Sequence, residues 1–184
     1  TIANIYKSIP RLKVETFTSI KVAEAAKLME NTQRDILIAF ANEYSDFCTQ
    51  IGVDINDVIA AAATKWNFSQ VYPGLVGGHC ISVDPYYLLQ KASDIGMALP
   101  LVSMARKVNE NKVSKVVDRF LERVRDLDAT TENEKKLIIG FAYKKNSADI
   151  RNTKVANIVK ELEIQGYKVD VYVPLVNKNA AEKM

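Results

Sequence analysis

A cysteine in a glycine-rich segment is the residue of this chain best suited to covalent chemistry. Cys80 follows Gly77 and Gly78 and stands four residues before Asp84-Pro85, a pair typical of a helix start. Glycines let the backbone approach a ligand closely, and the positive end of a helix favours a thiolate. Both features favour a nucleophile, and a buried structural cysteine is the alternative that remains open.

Polar residues near Cys80, or on one helix face, could assist it. His79 is a candidate base, although adjacent side chains usually point apart, so a ligand contact or a structural role fits it better. Asp84 could position a reactant, but helix capping alone would explain it. Lys27 and Asn31 are four residues apart and share a helix face, which is ordinary solvated surface unless the Cys80 loop folds over it.

A basic segment, residues 140–145, follows a strand-like run, at a position where open α/β sheets bind ligands. Lys144, Lys145 and Arg151 could hold phosphate oxygens there, and a plain basic loop is the alternative. The chain has no G-x-G-x-x-G, so it does not carry the usual fingerprint of a dinucleotide site.

Apolar residues recur at helical spacing in stretches that must position these groups. We expect helices over residues 19–50, 54–63, 84–96 and 100–127. Typical N-cap side chains begin the first three: Ser19, Asp54 and Asp84. The first eighteen residues are predicted as loop with a short strand, and residues 64–84 as a long loop of the kind that often carries function. Cys48 falls on the apolar face of the first helix and is expected in the core.

A polar stretch, residues 128–133, is the predicted domain boundary. After it come a strand at 137–141, a helix at 152–165 and a strand at 167–173. This order favours a right-handed β-α-β unit with parallel strands. The predicted fold is therefore mixed, with an all-α domain at 1–127 followed by the opening β-α-β of an α/β domain at 128–184.

Composition excludes several classes of protein. The 184 residues carry 25 basic and 22 acidic side chains, a net charge of +3 that is too small for a typical nucleic-acid binder. No apolar run suits a membrane span or a signal peptide. Two cysteines and one histidine indicate neither a disulfide framework nor a metal site, so we expect a cytoplasmic protein. Because the chain starts at Thr1 rather than Met, we also expect a fragment.

Three ordered motifs resemble the UDP-glucose/GDP-mannose dehydrogenase family. They are AAKLMENTQRD at 25–35, GGHCISVDPYYL at 77–88 and GFAYKKNSADIRNT at 140–153. The resemblance is closest to the bacterial UDP-N-acetylhexosamine 6-dehydrogenases, which make uronic acids for capsules and O-antigens. Val83 stands where the UDP-glucose branch has a lysine, and with His79 it favours an N-acetylated sugar.

The resemblance also implies an architecture. Family members have an N-terminal NAD-binding Rossmann domain, a helical central domain that dimerises, and a C-terminal Rossmann-like domain that holds the UDP-sugar. Residues 1–127 would be the central domain and 128–184 the start of the third. The NAD domain would be absent from this chain, and a homodimer would form through the long central helices.

The implied reaction oxidises the sugar C6 alcohol to an acid with two NAD+. Cys80 would form a thiohemiacetal and then a thioester. Lys27 would act as acid/base or stabilise the oxyanion, and Asn31 would donate a hydrogen bond to the same developing charge. Asp84 would position Lys27 or the hydrolytic water. Substrate contacts are implied for Gly77, Gly78, Tyr143 and Lys144, and an NAD contact for Arg151. The alternative function is a non-catalytic helical dimerisation module, which two long amphipathic helices would also suit.

Overall fold

The computed structural model describes residues 2–126 and 135–176. Their elements, in chain order, are α1 (Ile2–Lys7), α2 (Ile20–Gln50), α3 (Ile55–Ala62), α4 (Asp84–Asp94), α5 (Pro100–Asp126), β1 (Lys135–Ile139), α6 (Val155–Ile164) and β2 (Lys168–Tyr172). The mixed class, helical first and α/β second, is confirmed. Within these two ranges no helix is both long and apolar enough to cross a membrane.

Capping side chains begin two of the helices as predicted. The Ser19 hydroxyl accepts a hydrogen bond from the backbone of the first turn of α2, and Asp54 does the same for α3. The third prediction is wrong, because Val83 occupies the N-cap of α4 and makes no side-chain capping bond. Asp84 is already inside the helix, and its carboxylate bonds to a residue of α2 instead.

The N-terminal segment also differs from the prediction. Residues 2–7 form the short helix α1, where the sequence indicated loop and strand. Six residues give fewer than two helical turns, which is too short for a 3.6-residue period to be recognised.

The long helices α2 and α5 pack against each other and form the centre of the helical domain. The face that α2 buries is polar or small rather than apolar, and consists of Asn31, Thr32, Asp35, Ala39, Ala41, Asn42, Ser45 and Cys48. Cys48 is buried, as predicted. The large apolar residues that revealed the helix are instead exposed, and we call them the α2 apolar stripe: Val22, Met29, Phe40, Tyr44 and Phe47.

The predicted β-α-β unit is confirmed as β1-α6-β2 with parallel strands. Its register pairs Lys135 with Lys168 and Ile139 with Tyr172. The first strand begins two residues earlier than expected and the helix three residues later. Helix α6 packs against α5, so the α/β unit lies on the helical domain. The predicted boundary at 128–133 falls outside the described residues.

Candidate active site

A cleft of about 450 Å³ lies between α2, the loop before α4 and the loop after β1. Helix α2 contributes Lys27 and Asn31 to its wall, and the glycine-rich loop contributes Gly77, His79 and Cys80. The Cys80 loop therefore folds over the face that Lys27 and Asn31 share, which was the condition for a chemical role of that pair.

Lys27 and Asn31 are joined to each other and to the start of α4. The Lys27 ammonium donates to Asn31 Oδ1 at 3.4 Å and to Glu30 at 3.0 Å. Asn31 is buried, and its Nδ2 donates to Asp84 Oδ2 at 2.5 Å. Asp84 is half-buried and does not line the cleft, and the hydrogen bond from Asn31 is its link to the cleft wall.

The backbone of the Cys80 loop turns tightly into α4. The Cys80 carbonyl accepts hydrogen bonds from the amides of Val83 at 3.0 Å and Asp84 at 2.8 Å. The Gly78 carbonyl accepts from the Ser82 hydroxyl at 2.6 Å. Cys80 is a free, exposed thiol, whereas Cys48 is free and buried. The alternative of a buried structural cysteine therefore applies to Cys48 and not to Cys80.

The two glycines before His79 allow the loop after β1 to approach closely. A Cβ on Gly77 would lie 2.7 Å from the Asn152 carbonyl oxygen, and one on Gly78 would lie 2.8 Å from the Tyr143 ring. Gly78 also has a φ of +82°, a conformation that L side chains rarely adopt. The sequence predicts that a ligand approaches the backbone closely at these glycines. In the structure it is the loop after β1 that does so, with Tyr143 packed on Gly78.

The C-terminal motif contributes Tyr143, Lys144 and Arg151 to the cleft. Asn152 Nδ2 donates to the Gly78 carbonyl at 3.1 Å, which ties this segment to the Cys80 loop. Lys145 is exposed and does not line the cleft.

Arg151 forms a two-bond ion pair with Asp149, at 2.8 Å from Nε and 2.5 Å from Nη2. The hydrogen bonds and charge of Arg151 lower the pKa of Asp149 to about 2. The cationic side chain is thereby held at the rim of the cleft.

One further cation lines the cleft and escaped the sequence analysis. Arg34 lies on the same helix face as Lys27 and Asn31 and forms an ion pair with Glu30. The spacing of Lys27, Asn31 and Arg34, four and then three residues, places all three on one face of α2 and could have identified Arg34 from the sequence. With Lys27, Lys144 and Arg151, it gives the cleft a positive lining suited to an anionic ligand such as a nucleoside diphosphate.

Comparisons with known proteins agree with this geometry. Residues 21–111 match the sequence profile of the UDP-glucose/GDP-mannose dehydrogenase family, central domain, and residues 137–184 match its UDP binding domain. Protein CapL of Staphylococcus aureus is 41% identical over 99% of this chain and 43% of its own length. UDP-N-acetyl-D-glucosamine 6-dehydrogenase of Pseudomonas aeruginosa is 42% identical over 97% of this chain and 42% of its own length.

A solved structure also matches. The UDP-D-ManNAc dehydrogenase of Pyrococcus horikoshii superposes with a TM-score of 0.85 at 32% identity, covering 95% of this chain and 42% of that one. The chain thus spans about two fifths of the length of these relatives. The two profiles, in order and together spanning most of the sequence, show that the chain belongs to the UDP-glucose/GDP-mannose dehydrogenase family.

Proposed function

We propose that this chain carries the nucleophile and part of the substrate site of an NAD-dependent UDP-N-acetylhexosamine 6-dehydrogenase. The single observation that carries the proposal is the exposed Cys80 thiol in a cationic cleft, opposite the joined pair Lys27 and Asn31. Relatives named as dehydrogenases of UDP-N-acetylglucosamine and UDP-N-acetylmannosamine support the substrate class.

The chemistry that Cys80 performs follows from the needs of the second oxidation. An aldehyde cannot lose hydride until a nucleophile adds to its carbonyl carbon, and a thiolate adds readily. A bond forms between the Cys80 sulfur and C6, and the carbonyl oxygen takes up the negative charge. Lys27 and Asn31 donate hydrogen bonds to that oxygen.

Loss of hydride from C6 then converts the thiohemiacetal into a thioester. Water attacks the thioester carbon, the C–S bond breaks, and the carboxylate leaves with the thiol restored. Bound NAD+ would supply the hydride acceptor for both oxidations, so that one alcohol, two NAD+ and one water would give one carboxylic acid, two NADH and two protons. Asp84 holds Asn31 in place through their hydrogen bond.

The residues present fit the edge of an NAD site rather than its main body. Arg151 offers a fixed guanidinium at the rim of the cleft, which suits a pyrophosphate oxygen. The chain has no G-x-G-x-x-G, so the adenosine half has no recognisable binding loop here. We propose that Gly77 and Gly78 shape the cleft for substrate and that Tyr143 and Lys144 contact it.

A panel of nucleotide sugars tests the substrate class. The whole protein that carries this chain is incubated with NAD+ and UDP-N-acetylglucosamine, UDP-N-acetylgalactosamine, UDP-N-acetylmannosamine or UDP-glucose. We expect a uronic acid by mass spectrometry from at least one N-acetylated sugar, formed faster than from UDP-glucose. Oxidation of UDP-glucose alone would contradict the proposal, and residues 1–184 alone should form no NADH. Such a product would serve capsule or O-antigen synthesis, which is the cellular role we propose.

The second candidate, a helical dimerisation module, is favoured by the α2 apolar stripe. Met29 is 72% exposed, Phe40 59% and Phe47 53%, and apolar grooves lie along both sides of the shared residue Leu37. Exposed apolar surface of this extent marks an interface, and we propose a second copy of the chain as its occupant.

Sedimentation tests the module, because a dimer fits both candidates and a monomer excludes the module. We expect a dimer that Phe40→Glu dissociates and that Ile164→Glu, at an exposed apolar site on α6, leaves intact. A wild-type monomer would contradict the proposal that a second copy covers the α2 apolar stripe. A dimer without any dehydrogenase activity in the whole protein would favour the module.

A further inference from the structure

Arg106 of α5 is a buried cation behind the cleft that the proposed reaction does not use. Only 3% of its side chain is exposed, and the carboxylate of its partner Asp35 is fully buried. Its Nη1 donates to Asp35 Oδ1 at 2.6 Å and to the Ile81 carbonyl at 3.3 Å, and its Nη2 donates to Glu110 Oε1 at 2.6 Å. One guanidinium of α5 therefore contacts α2 and the Cys80 loop, as well as Glu110 of its own helix.

The places that Arg106 joins are adjacent to proposed catalytic groups. Ile81 directly follows Cys80, and Asp35 lies one helical turn beyond Asn31 on the buried face of α2. The Asn31–Asp84 hydrogen bond holds the far end of the same loop against the same helix. The stretch from Ile81 to Asp84 is thus tied to α2 at both ends, directly at Asp84 and through Arg106 at Ile81.

The Arg106 contacts continue into the α/β unit. Glu110 forms a second ion pair with Lys154, at the N-cap of α6. Asn152, two residues earlier, donates to the Gly78 carbonyl of the Cys80 loop. Two separate interactions therefore hold the segment before α6, one with the Cys80 loop through Asn152 and one with α5 through Lys154.

We propose that Arg106 is a positioning residue that fixes the Cys80 loop relative to Lys27 and Asn31, and so sets the distance between nucleophile and charge-stabilising donors. The proposal rests on the function proposed above and deepens it. Arginine is required because a planar guanidinium can donate to Asp35, Ile81 and Glu110 at once, whereas the point-like ammonium of a lysine cannot reproduce that fork.

Stability alone does not explain the Arg106–Asp35 pair. Asp35 Oδ2 and Arg106 Nε are buried without a hydrogen-bond partner among the described residues. Burial raises the pKa of Asp35, and the Arg106 charge opposes that rise. Buried ion pairs with unsatisfied atoms can often be replaced by neutral side chains without loss of stability. The pair is thus better explained by the loop contact it provides.

A neutral double variant tests the proposal without leaving a buried charge unpaired. Asp35→Asn with Arg106→Met removes both charges and keeps an acceptor for the Asn109 amide, which donates to Asp35 at 2.7 Å. Arg106→Lys is the conservative variant. Lys115→Met is the matched control, because Lys115 lies on the same helix and forms an exposed ion pair with Asp46.

Amide exchange of Val83 and Asp84 in the full chain is the first measurement, because both amides donate to the Cys80 carbonyl and report the order of the loop. We expect the Val83 and Asp84 amides to exchange faster than in wild type in Arg106→Lys and in the double variant. The increase in the double variant should be about tenfold, because one charge-assisted hydrogen bond is lost. Amide exchange over residues 36–48 should be unchanged, and Cys48, which is buried, should not react with iodoacetamide. Lys115→Met should match wild type at every site.

Unchanged exchange at Val83 and Asp84 would overturn the proposal. An increase in amide exchange that is equally large over residues 36–48, together with alkylation of Cys48, would also overturn it. Arg106 would then only stabilise the fold. These outcomes need no dehydrogenase activity and stay separate from a failure of the proposed function. In the whole protein, the double variant should lower kcat by about 100-fold, as for a small misplacement of a reacting group, with KM nearly unchanged. A raised KM with normal kcat would contradict it.

Discussion

The side-chain amide of Asn31 donates a 2.5 Å hydrogen bond to the carboxylate of Asp84, 53 residues further along the chain. The bond joins the middle of α2 to the first residue of α4. Cys80 is four residues before Asp84, and Lys27 is one turn before Asn31, so this contact links the segments that bring the thiol and the ammonium to one cleft. Two distant motifs are thereby combined into one cleft.

The Asn31–Asp84 bond should have a measurable coupling energy. Asn31→Ala, Asp84→Ala and the double variant form a cycle in the free energy of unfolding, determined by urea titration. We expect the two single effects to be non-additive by about 1–2 kcal/mol, since the bond is charge-assisted and partly buried. Additive effects would show that the contact contributes nothing to stability.

Gly77 provides a steric test of the contact between the Cys80 loop and the α/β unit. In Gly77→Ala the new Cβ meets the Asn152 carbonyl oxygen at 2.7 Å, a backbone atom that cannot rotate away. We expect a loss of about 1–3 kcal/mol in unfolding free energy, the usual cost of overpacking. Thermal or urea unfolding measures it.

Gly74→Ala is the matched control for that substitution. Gly74 lies three residues earlier in the same loop, and a Cβ there meets nothing within 4 Å. Its stability should equal wild type or exceed it slightly, because alanine restricts the unfolded chain. Equal losses in the two variants would mean that the loop, and not its contact with Asn152, is sensitive to substitution.

The Asp149–Arg151 ion pair predicts a specific pH dependence. Its hydrogen bonds lower the pKa of Asp149 from an ordinary value of 3.8 to about 2. A depressed carboxyl pKa means that the contribution of the pair is complete above pH 3.8 and is lost as the pH falls through about 2. Carboxyl ¹³C chemical shifts should therefore show Asp149 still ionised at pH 3.

Arg151→Gln should return the Asp149 titration midpoint toward 3.8. Lys145→Gln, a neighbouring cation that makes no ion pair with Asp149, is the control and should leave the midpoint low. A wild-type midpoint near 3.8 would show that Arg151 is not held by Asp149, and would remove the reason for its fixed place at the rim.

Much of the secondary structure could be predicted because its signals are local. Helix α2 has a long apolar period and a serine N-cap, and β1-α6-β2 follows from two apolar runs flanking a helical one. Periodicity did not reveal which face α2 buries. The α2 apolar stripe is exposed on this chain, and the buried face is set by partners on α5 that no local pattern shows.

The site was predictable to a different degree. Residue type and spacing make Cys80, Lys27 and Asn31 candidates, the family resemblance implies their roles, and the structure places them around one cleft. Aspartate before proline predicts a helix cap at Asp84, and the resemblance implies a positioning role, but its carboxylate accepts a hydrogen bond from Asn31 on another helix. Arg106 could not be found, since only the tertiary fold brings its guanidinium to Asp35 and Ile81.

The count of NADH formed per UDP-sugar in the Cys80→Ala variant of the whole protein tests the central claim most directly. In the proposed reaction the first oxidation does not require the thiol, whereas the second requires its addition to the aldehyde. We predict two NADH and the uronic acid from the wild type, but at most one NADH and no uronic acid from Cys80→Ala. Release of the uronic acid by Cys80→Ala at the wild-type rate, with two NADH, would contradict the assignment of Cys80 as nucleophile.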